Sequence, residues 1–449
     1  MNDTIVALST PSGESAIAVI RLSGDNLETF AYKIFGKQLK ARQATYTSYI
    51  DLSRNRLDDV VAILFKAPHS YTGEDSLEIS THGNPFIIQA IIADIIERGA
   101  RPASAGEFTR RAFENGKMDL SQAEAVALLI EARSQRSLRA AQKQLSGELG
   151  RRINLMSERL VETLALIEAY IDFPEDDLPQ EDKDAVAKAI SACSSDMAQL
   201  IETAKFSPLV HQGLDIVIAG APNAGKSSLL NLLLGSERAI VSNIAGTTRD
   251  FISEKTSIAG NAVNLTDTAG LRGSDDELES IGIERAREKI SECDICLYVV
   301  DSSDELDFEE FSKNTLTPEN AIVVLNKCDM PTSKANSYIE KFSGFKTVKI
   351  SCSKEVGIDS LKNEIATLID KHHITATADD ILISARHAQS LQSAKSSAEN
   401  AAKSIAENAP AELTASDIRE ALNHLGDIVG KTDNETVLDK IFSKFCIGK

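Results

Sequence analysis

The sequence predicts a multidomain protein in which an α/β domain with a mostly parallel sheet is inserted into an all-α helical domain, after an α+β domain at the N-terminus. Three observations predict this class. The chain has 449 residues, enough for two or three domains. Residues 213–370 alternate short apolar runs with amphipathic stretches, as parallel α/β sheets do. Alanine-rich sequence with helical spacing lies on both sides of this segment.

Residues 1–118 form the predicted α+β domain. Short runs dominated by apolar and β-branched side chains predict three strands, at residues 4–8, 16–22 and 60–65. A helix is predicted over residues 85–98, because a proline stands at its first position and Gly99 follows its last turn.

The helical domain is predicted in two parts, residues 119–212 and 371–449. Residues 121–170 have helical spacing without a proline, and Gly147 and Gly150 predict a break between two long helices. Four more helices are predicted, at residues 183–205, 384–407, 416–429 and 435–445. Because the two parts flank residues 213–370, this α/β segment is predicted to be an insertion, which exposed loops tolerate.

Composition limits the possible partners and compartments. The net charge of −19 argues against a broad surface that coats nucleic acid, since such surfaces are basic. No apolar run approaches the roughly 20 residues that span a membrane, and no signal peptide is recognisable. Six scattered cysteines suit a reducing environment, so a cytoplasmic protein is predicted. Cys293 and Cys296 have redox or metal spacing, but they lead into an apolar run and are interpreted as buried core thiols.

The most specific motif is G-x-x-x-x-G-K-[ST], found here as Gly220-Ala221-Pro222-Asn223-Ala224-Gly225-Lys226-Ser227. A strand-like run precedes it, and residues 228–234 have the apolar density of a packed helix. Such a strand–loop–helix unit directs backbone N–H groups and a helix N-terminus at phosphate oxygens. Lys226 is therefore predicted to reach the β- and γ-phosphates, and the Ser227 hydroxyl to bind Mg²⁺.

Three further motifs follow in the order that a guanine-nucleotide site requires. The first is Asp267-Thr268-Ala269-Gly270, which places a carboxylate at a strand end near the metal. The second is Asn326-Lys327-Cys328-Asp329, and the third is Ser351-Cys352-Ser353, in the place of the loop that backs the base. Asp329 can accept hydrogen bonds from both the N1–H and the 2-amino group of guanine. Adenine has no such pair of donors, so GTP is predicted rather than ATP.

Leu271 directly follows Asp267-Thr268-Ala269-Gly270, at the position where Ras-like GTPases orient the attacking water with a glutamine. Leucine cannot do so, and other groups must therefore supply the water and charge roles. Thr247 and Thr248 lie in a predicted loop, and one of their hydroxyls can close onto Mg²⁺ when the γ-phosphate is present.

With these motifs in place, the chain resembles the MnmE (TrmE) family of tRNA-modification GTPases. The resemblance covers essentially the whole chain and rests on residues 102–113, 220–228, 243–250, 267–272, 281–284 and 445–449. It implies GTP contacts at Asn223, Ala224, Gly225, Lys226, Ser227, Ser228, Ser242, Asn243, Ile244, Ala245, Gly246, Thr247, Thr248, Asp267, Thr268, Ala269, Gly270, Asn326, Lys327, Cys328, Asp329, Ser351, Cys352 and Ser353.

The resemblance also implies that hydrolysis depends on K⁺ and on dimerisation of the GTPase domains. A potassium ion takes the place of an arginine finger, because charge on the transferring phosphoryl group needs a nearby cation. The implied K⁺ ligands are Asn223, Ser242, Ile244 and Thr247. The implied Mg²⁺ ligands are Ser227 and Thr248. Glu279 matches the acidic residue that positions the attacking water through a second water, although taken alone it is an ordinary loop carboxylate.

For the N-terminal domain the resemblance implies dimerisation and binding of 5,10-methylene- or 5-formyl-tetrahydrofolate. The matching positions are Arg21, Glu78, Lys117 and Lys449. Cationic side chains suit the carboxylates of folate, and Glu78 can accept hydrogen bonds from the pterin. Taken alone, each of the four is an ordinary surface charge.

Cys446 lies in the sequence Cys446-Ile447-Gly448-Lys449. A lysine in the last position does not fit prenylation. The remaining interpretations are an inert thiol, a nucleophile, or an acid/base group near the folate and the target uridine, with Lys449 lowering the thiol pKa.

The implied reaction is formation of an aminomethyl or carboxymethylaminomethyl group at C5 of wobble uridine in tRNA. The implied assembly is a homodimer that joins an MnmG (GidA)-type flavoprotein in a heterotetramer, with FAD and NADH on that partner and no membrane association. Two alternatives stay open. A ribosome-assembly GTPase predicts a basic RNA-binding appendage, and a regulatory GTPase with no role in the chemistry predicts nothing special about Cys446.

Overall fold

The computed structural model describes residues 3–172, 180–235, 253–268, 287–306, 308–312, 314, 316–372, 381–431 and 435–448. The strands, in chain order, are β1 Ile5–Leu8, β2 Ser15–Gly24, β3 Thr45–Ile50, β4 Arg56–Phe65, β5 Asp75–Gly83, β6 Arg101–Pro102, β7 Leu214–Gly220, β8 Ser253–Ile258, β9 Asn261–Asp267, β10 Ile295–Asp301, β11 Ala321–Asn326 and β12 Lys346–Lys349.

The helices, in chain order, are α1 Leu27–Phe35, α2 Pro85–Glu97, α3 Glu107–Glu114, α4 Leu120–Glu131, α5 Gln135–Leu145, α6 Glu148–Asp172, α7 Gln180–Thr203, α8 Ser207–His211, α9 Lys226–Gly235, α10 Phe308–Ser312, α11 Ala335–Lys341, α12 Ile358–His372, α13 Ala385–Ala406, α14 Ala411–Val429 and α15 Glu435–Phe442. In the part of the chain described here, none of them combines the length and hydropathy needed to cross a bilayer.

The chain divides into two compact units. The first comprises Met1–Ala127, Leu145–Asp177 and Pro410–Lys449, and the second comprises Leu128–Gln144 and Leu178–Ala409. In the first unit α6 packs against α14, and in the second α7 packs against α13. In each pair one helix precedes the α/β segment and the other follows it, as expected when that segment is an insertion. The predicted domain ranges 1–118, 119–212, 213–370 and 371–449 stay predictions.

The N-terminal part of the first unit is α+β, as predicted. Its sheet has the order β3-β4-β5-β2-β1-β6, and the pairs are antiparallel except that β1 and β6 are parallel. Apolar side chains of one face, including the fully buried Ile20 and Ile79, pack against α1 and α2, and Ile91 of α2 is fully buried as well. The other face of β5 carries the polar residues Glu78 and His82. Alternating burial along this strand therefore separates a core face from a polar face.

The prediction of two long helices over residues 121–170 is wrong in one respect, because this stretch forms the three helices α4, α5 and α6. Gly147 breaks the chain as predicted, with φ of 79°. Gly150 instead lies inside α6, where an added Cβ would lie 2.2 Å from an Asp119 carboxylate oxygen. The additional break precedes α5, where the Ser134 hydroxyl accepts a hydrogen bond from the Ser137 N–H at 3.1 Å and caps the helix.

The α/β sheet of the second unit has the order β12-β11-β10-β7-β9-β8. All its pairs are parallel except β8 with β9, which confirms the predicted mostly parallel sheet. Strands such as β11 are buried along their whole length, because helices cover both faces. Cys296 is buried in this core and Cys293 is partly buried beside it, so both are core thiols as predicted.

Candidate functional site

The phosphate-loop motif connects β7 to α9, as the sequence predicts. Two of its glycines are required by close approaches. Gly220 has φ of 137°, and an added Cβ would lie 2.1 Å from the Val299 carbonyl oxygen of the neighbouring strand. Gly225 has φ of 97°, and an added Cβ would lie 2.2 Å from the Asn326 side-chain nitrogen. The loop is thus held against β10 and against the end of β11 at the carboxyl edge of the sheet.

Lys226 begins α9 and is buried, with 6% of its surface exposed. Its ammonium donates hydrogen bonds to the carbonyl oxygens of Gly220 at 3.0 Å and Ala221 at 2.7 Å, both within the loop. A buried cation at a helix N-terminus favours an anion nearby, because the helix dipole and the free backbone N–H groups add to its charge. The loop can therefore bind phosphate.

Ser227, the residue after Lys226, lies beside Asp267 at the end of β9. The Ser227 hydroxyl donates a hydrogen bond to the Asp267 carboxylate at 2.7 Å. Asp267 ends β9 opposite Ile218 of β7, and the Thr268 hydroxyl donates to the Ile218 carbonyl at 3.0 Å, which fixes this strand end. A hydroxyl and a carboxylate side by side suit Mg²⁺, which takes few protein oxygens when phosphates and waters complete its shell.

Asn326 connects the phosphate loop to the loop that follows β12. It is 2% exposed, its amide nitrogen donates to the Ala224 carbonyl at 2.9 Å, and its amide oxygen accepts from the Cys352 N–H at 3.1 Å. The neighbouring Lys327 forms an ion pair with Asp301 at the end of β10. A single buried amide thus joins three segments that are far apart in the sequence.

Asp329 is exposed and is oriented by two serines. The Ser353 hydroxyl donates to its carboxylate at 3.3 Å, and the Ser351 and Ser353 hydroxyls lie 3.1 Å apart. The hydrogen bond from Ser351 and that from Ser353 lower the pKa of Asp329. The Cys328 N–H donates to the Ile350 carbonyl at 3.1 Å, which ties the two loops together. The carboxylate is therefore ionised at neutral pH and can only accept hydrogen bonds.

Several predicted site residues lie outside the described residues. They are Ser242, Asn243, Ile244, Ala245, Gly246, Thr247, Thr248, Ala269, Gly270, Leu271, Glu279 and Lys449. Of the predicted K⁺ ligands, Asn223 is described: it is exposed on the phosphate loop with φ of 60°. Of the predicted Mg²⁺ ligands, Ser227 is described. Ser228 follows it as an exposed residue in the first turn of α9.

In the first unit, Arg21 and Glu78 face each other on β2 and β5. The Arg21 guanidinium donates to one Glu78 carboxylate oxygen through Nε at 3.0 Å and Nη2 at 2.8 Å. It also lies over the rings of Tyr71 and Phe108, at 5.5 and 5.9 Å from their centroids. Sequence reasoning missed both aromatic residues. The side chains of Arg21 and Glu78 are 19% and 27% exposed, so a ligand can reach either charge.

Lys117 does not join this ion pair. Its ammonium donates to the Pro68 carbonyl at 3.0 Å and its side chain is exposed. Its stem lies beside Gly73, since a Cβ added at Gly73 would lie 3.2 Å from the Lys117 Cγ. Pro68, Tyr71 and Gly73 belong to one loop between β4 and β5. That loop therefore contacts Arg21 through the Tyr71 ring. It contacts Lys117 through the backbone carbonyl of Pro68.

The segment around Cys446 lies against the N-terminal sheet. Ile447 forms an antiparallel bridge with Ala105, and the Ser9 hydroxyl donates to the Gly448 carbonyl at 3.2 Å. An added Cβ at Gly448 would lie 2.2 Å from the carbonyl oxygen of Leu8, the last residue of β1. Because β1 pairs with β2, this segment lies one strand away from Arg21, while the Cys446 side chain is exposed.

The parallel sheet, the phosphate loop and the Asn326-to-Asp329 motif at the carboxyl edge define a P-loop GTPase. Family models match most of the chain: "GTP-binding protein TrmE N-terminus" at residues 4–117 and "MnmE helical domain" at residues 120–446. The chain belongs to the MnmE family of tRNA modification GTPases, which confirms the resemblance seen in its motifs.

Two full-length relatives carry the name "tRNA modification GTPase MnmE". The Opitutus terrae protein is 44% identical over 453 residues, which cover 100% of this chain and 99% of that protein. The Aquifex aeolicus protein is 43% identical over 453 residues, which cover 100% of both chains. The similarity therefore includes the α+β, helical and α/β parts alike.

Proposed function

We propose that this protein is a K⁺-dependent GTPase that acts with an MnmG (GidA)-type flavoprotein to form the (carboxymethyl)aminomethyl group at C5 of wobble uridine in tRNA. The observation that carries this proposal is the full-length identity of 44% to a protein named as a tRNA modification GTPase. The arrangement of the phosphate loop and the base loop supports it, because Asn326 connects the two in one site.

In this proposal, Lys226 and the backbone of the phosphate loop bind the β- and γ-phosphates of GTP. Ser227 and Thr248 hold Mg²⁺ with the Asp267 carboxylate beside them, and Asp329 accepts the hydrogen bonds that identify guanine. A bound K⁺ supplies positive charge beside the transferring phosphoryl group. Its ligands are Asn223, Ser242, Ile244 and Thr247, and Glu279 positions the attacking water. The exposed amide of Asn223 on the phosphate loop suits this role, since K⁺ takes neutral oxygen ligands.

GTP turnover is expected to be at least about tenfold faster in KCl than in NaCl at equal ionic strength, because Leu271 cannot take the glutamine role and a cation must stabilise the transferred charge. Replacing Asn223 with alanine should remove the difference between the salts. Asn231, an exposed asparagine in α9, provides a matched control whose alanine variant should keep it. Equal rates of phosphate release in the two salts would contradict the K⁺ assignment.

The bound folate supplies the methylene carbon of the new group, and this one-carbon chemistry is assigned to the first unit. Arg21, Glu78, Lys117 and Lys449 bind a tetrahydrofolate, and Cys446 acts beside it as a nucleophile or as an acid/base group. The partly exposed ion pair of Arg21 with Glu78, and the aromatic rings beside Arg21, support binding of a flat, charged ligand. FAD and NADH are bound by the flavoprotein partner. The protein acts as a homodimer within a heterotetramer, and tRNA is the substrate of the complex.

Mass analysis of wobble nucleosides tests the whole proposal. In tRNA from cells that lack this protein, the modified wobble uridines are expected to be absent and unmodified or partly modified uridine to replace them. Returning the gene should restore them. Unchanged nucleosides in the deletion strain would instead favour a ribosome-assembly or purely regulatory GTPase.

A further inference from the structure

A cavity of about 690 Å³ in the first unit lies between the start of α3 and the end of α15. Three guanidinium groups line it, those of Arg101, Arg110 and Arg111, together with carboxylates. Such a cavity suggests an anion site, but every arginine is already paired. Arg101 binds Asp3 and Glu107, and Arg111 binds both of these carboxylates as well. An anion would have to displace carboxylates that already neutralise these arginines. The cavity therefore does not carry an anion site, and the segments that its arginines join are more informative.

Arg110 differs from the other two arginines because it joins two helices. Its Nε binds Glu114 at 2.7 Å, one turn further along the same helix. Its Nη1 binds Asp439 and its Nη2 binds Glu435, both at 2.7 Å and both on α15. The guanidinium thus uses three separate nitrogens for three carboxylates. Two of the pairs connect segments more than 300 residues apart in sequence.

The helix that Arg110 holds leads directly to Cys446. Phe442 ends α15, is 3% exposed, and lies against the ring of Phe445 at a centroid distance of 5.5 Å. The N-terminus of α3 abuts this turn, since a Cβ at Gly106 would lie 2.7 Å from the Phe442 carbonyl oxygen. The Gly106 N–H in turn faces the Cys446 carbonyl at 3.5 Å. Helix α3 therefore carries Arg110, and Gly106 at its N-terminus contacts the backbone of Cys446.

We propose that Arg110 is a positioning residue that holds the segment 443–448 against the N-terminal sheet, so that Cys446 is presented beside the ligand of Arg21 and Glu78. This inference rests on the proposed function for its consequence in tRNA modification. Its structural part stands on the contacts between α3 and α15. The close approaches at Gly106 and Gly448 give the segment one docked arrangement. The Glu435 and Asp439 side chains are 74% and 68% exposed, so each ion pair adds only a modest share to holding the helix from which the segment emerges.

The test separates the two kinds of ion pair that Arg110 makes. The double variant Glu435→Gln/Asp439→Asn removes the pairs between helices and leaves Arg110 bound to Glu114, so no charge is stranded. The matched control Glu114→Gln removes one pair within a helix and keeps both pairs between helices. Exchange of backbone amides in residues 443–448 is expected to be about two- to fivefold faster in the double variant. The control should exchange at the wild-type rate.

In a deletion strain, the double variant is expected to restore less modified wobble uridine than wild type, whereas its rate of GTP hydrolysis should be unchanged. The charge exchange Arg110→Asp/Asp439→Arg re-forms one pair between the helices. Compared with Arg110→Asp alone, it should recover part of the slow amide exchange and part of the wobble-uridine modification. Unchanged exchange in the double variant, or an equal effect in Glu114→Gln, would overturn the proposal. Faster exchange with full modification would overturn its catalytic consequence. If wild type itself restores no modification, the proposed function fails, while amide exchange still decides whether Arg110 holds the segment.

Discussion

Replacing Asp329 with asparagine is expected to weaken GTP binding by about 100-fold and to make xanthosine triphosphate the preferred nucleotide. The carboxylate offers two acceptors to the N1–H and 2-amino donors of guanine. An asparagine amide offers one acceptor and a donor, and the donor faces the guanine amino group. Xanthine carries an oxygen at that position, so the same amide then forms two complementary hydrogen bonds.

The surroundings of Asp329 allow this substitution without damage to the fold. The Asp329 side chain is exposed and its described contacts are to serine hydroxyls, so asparagine can replace it without a buried vacancy. Because the pKa of Asp329 is lowered by those hydrogen bonds, the carboxylate stays ionised to a lower pH than an ordinary aspartate. GTP binding should therefore not weaken between pH 8 and about pH 5 through this group.

Competition binding with GTP, XTP and ATP measures the change in preference. Asp359, at the start of α12, supplies the control: Asp359→Asn removes the same charge from the same unit without touching the base loops. That variant should keep the wild-type order of affinities. A variant at position 329 that still prefers GTP to XTP would show that the base contact has been misassigned.

The nucleotide site could be predicted in large part because its residues lie in short motifs that define their own local structure. Gly220, Lys226 and Ser227 take their positions from one strand–loop–helix unit, and the sequence of that unit is sufficient to recognise it. The role of Asn326 could not be predicted in the same way. Its hydrogen bonds to Ala224 and Cys352 depend on β11 lying near β7 and β12, which is a property of strand order.

The α+β part was less predictable because much of its sheet is polar. In β5, Glu78, Ser80 and His82 alternate with buried residues, and the strand lacks the apolar density that revealed β2 and β4. β3 and β6 are likewise not predicted, because β3 consists mostly of Thr, Tyr and Ser and β6 has only two residues. Family resemblance points to Arg21 and Glu78 one at a time, whereas their mutual ion pair follows from the register of β2 on β5. No local pattern contains that register.

Helix boundaries show a third kind of limit. Gly147 and Gly150 look alike in sequence, yet one breaks the helix and the other continues it. The difference is tertiary: Gly150 has no room for a Cβ because the Asp119 carboxylate lies against it. Propensity favours a break at either glycine, so only the contact with Asp119 distinguishes them.

Cys446→Ser is expected to lower formation of modified wobble uridine by at least about 100-fold while leaving GTP hydrolysis near the wild-type rate. A serine hydroxyl neither ionises near neutral pH nor matches a thiolate as a nucleophile, so both proposed roles of the thiol are lost. The substitution is nearly isosteric and the side chain is exposed, so the docked backbone at Ala105 and Ser9 should be retained.

The separation of the two activities follows from where the residues lie in the chain. Cys446 belongs to the first unit with Arg21 and Glu78, whereas the phosphate loop and Asp329 belong to the second. Complementation of a deletion strain followed by nucleoside mass analysis measures modification, and phosphate release measures hydrolysis. Ser443→Ala, which removes a nearby exposed hydroxyl, should behave as wild type in both assays. Full modification by Cys446→Ser would leave the thiol without a chemical role and assign the one-carbon chemistry to the flavoprotein partner.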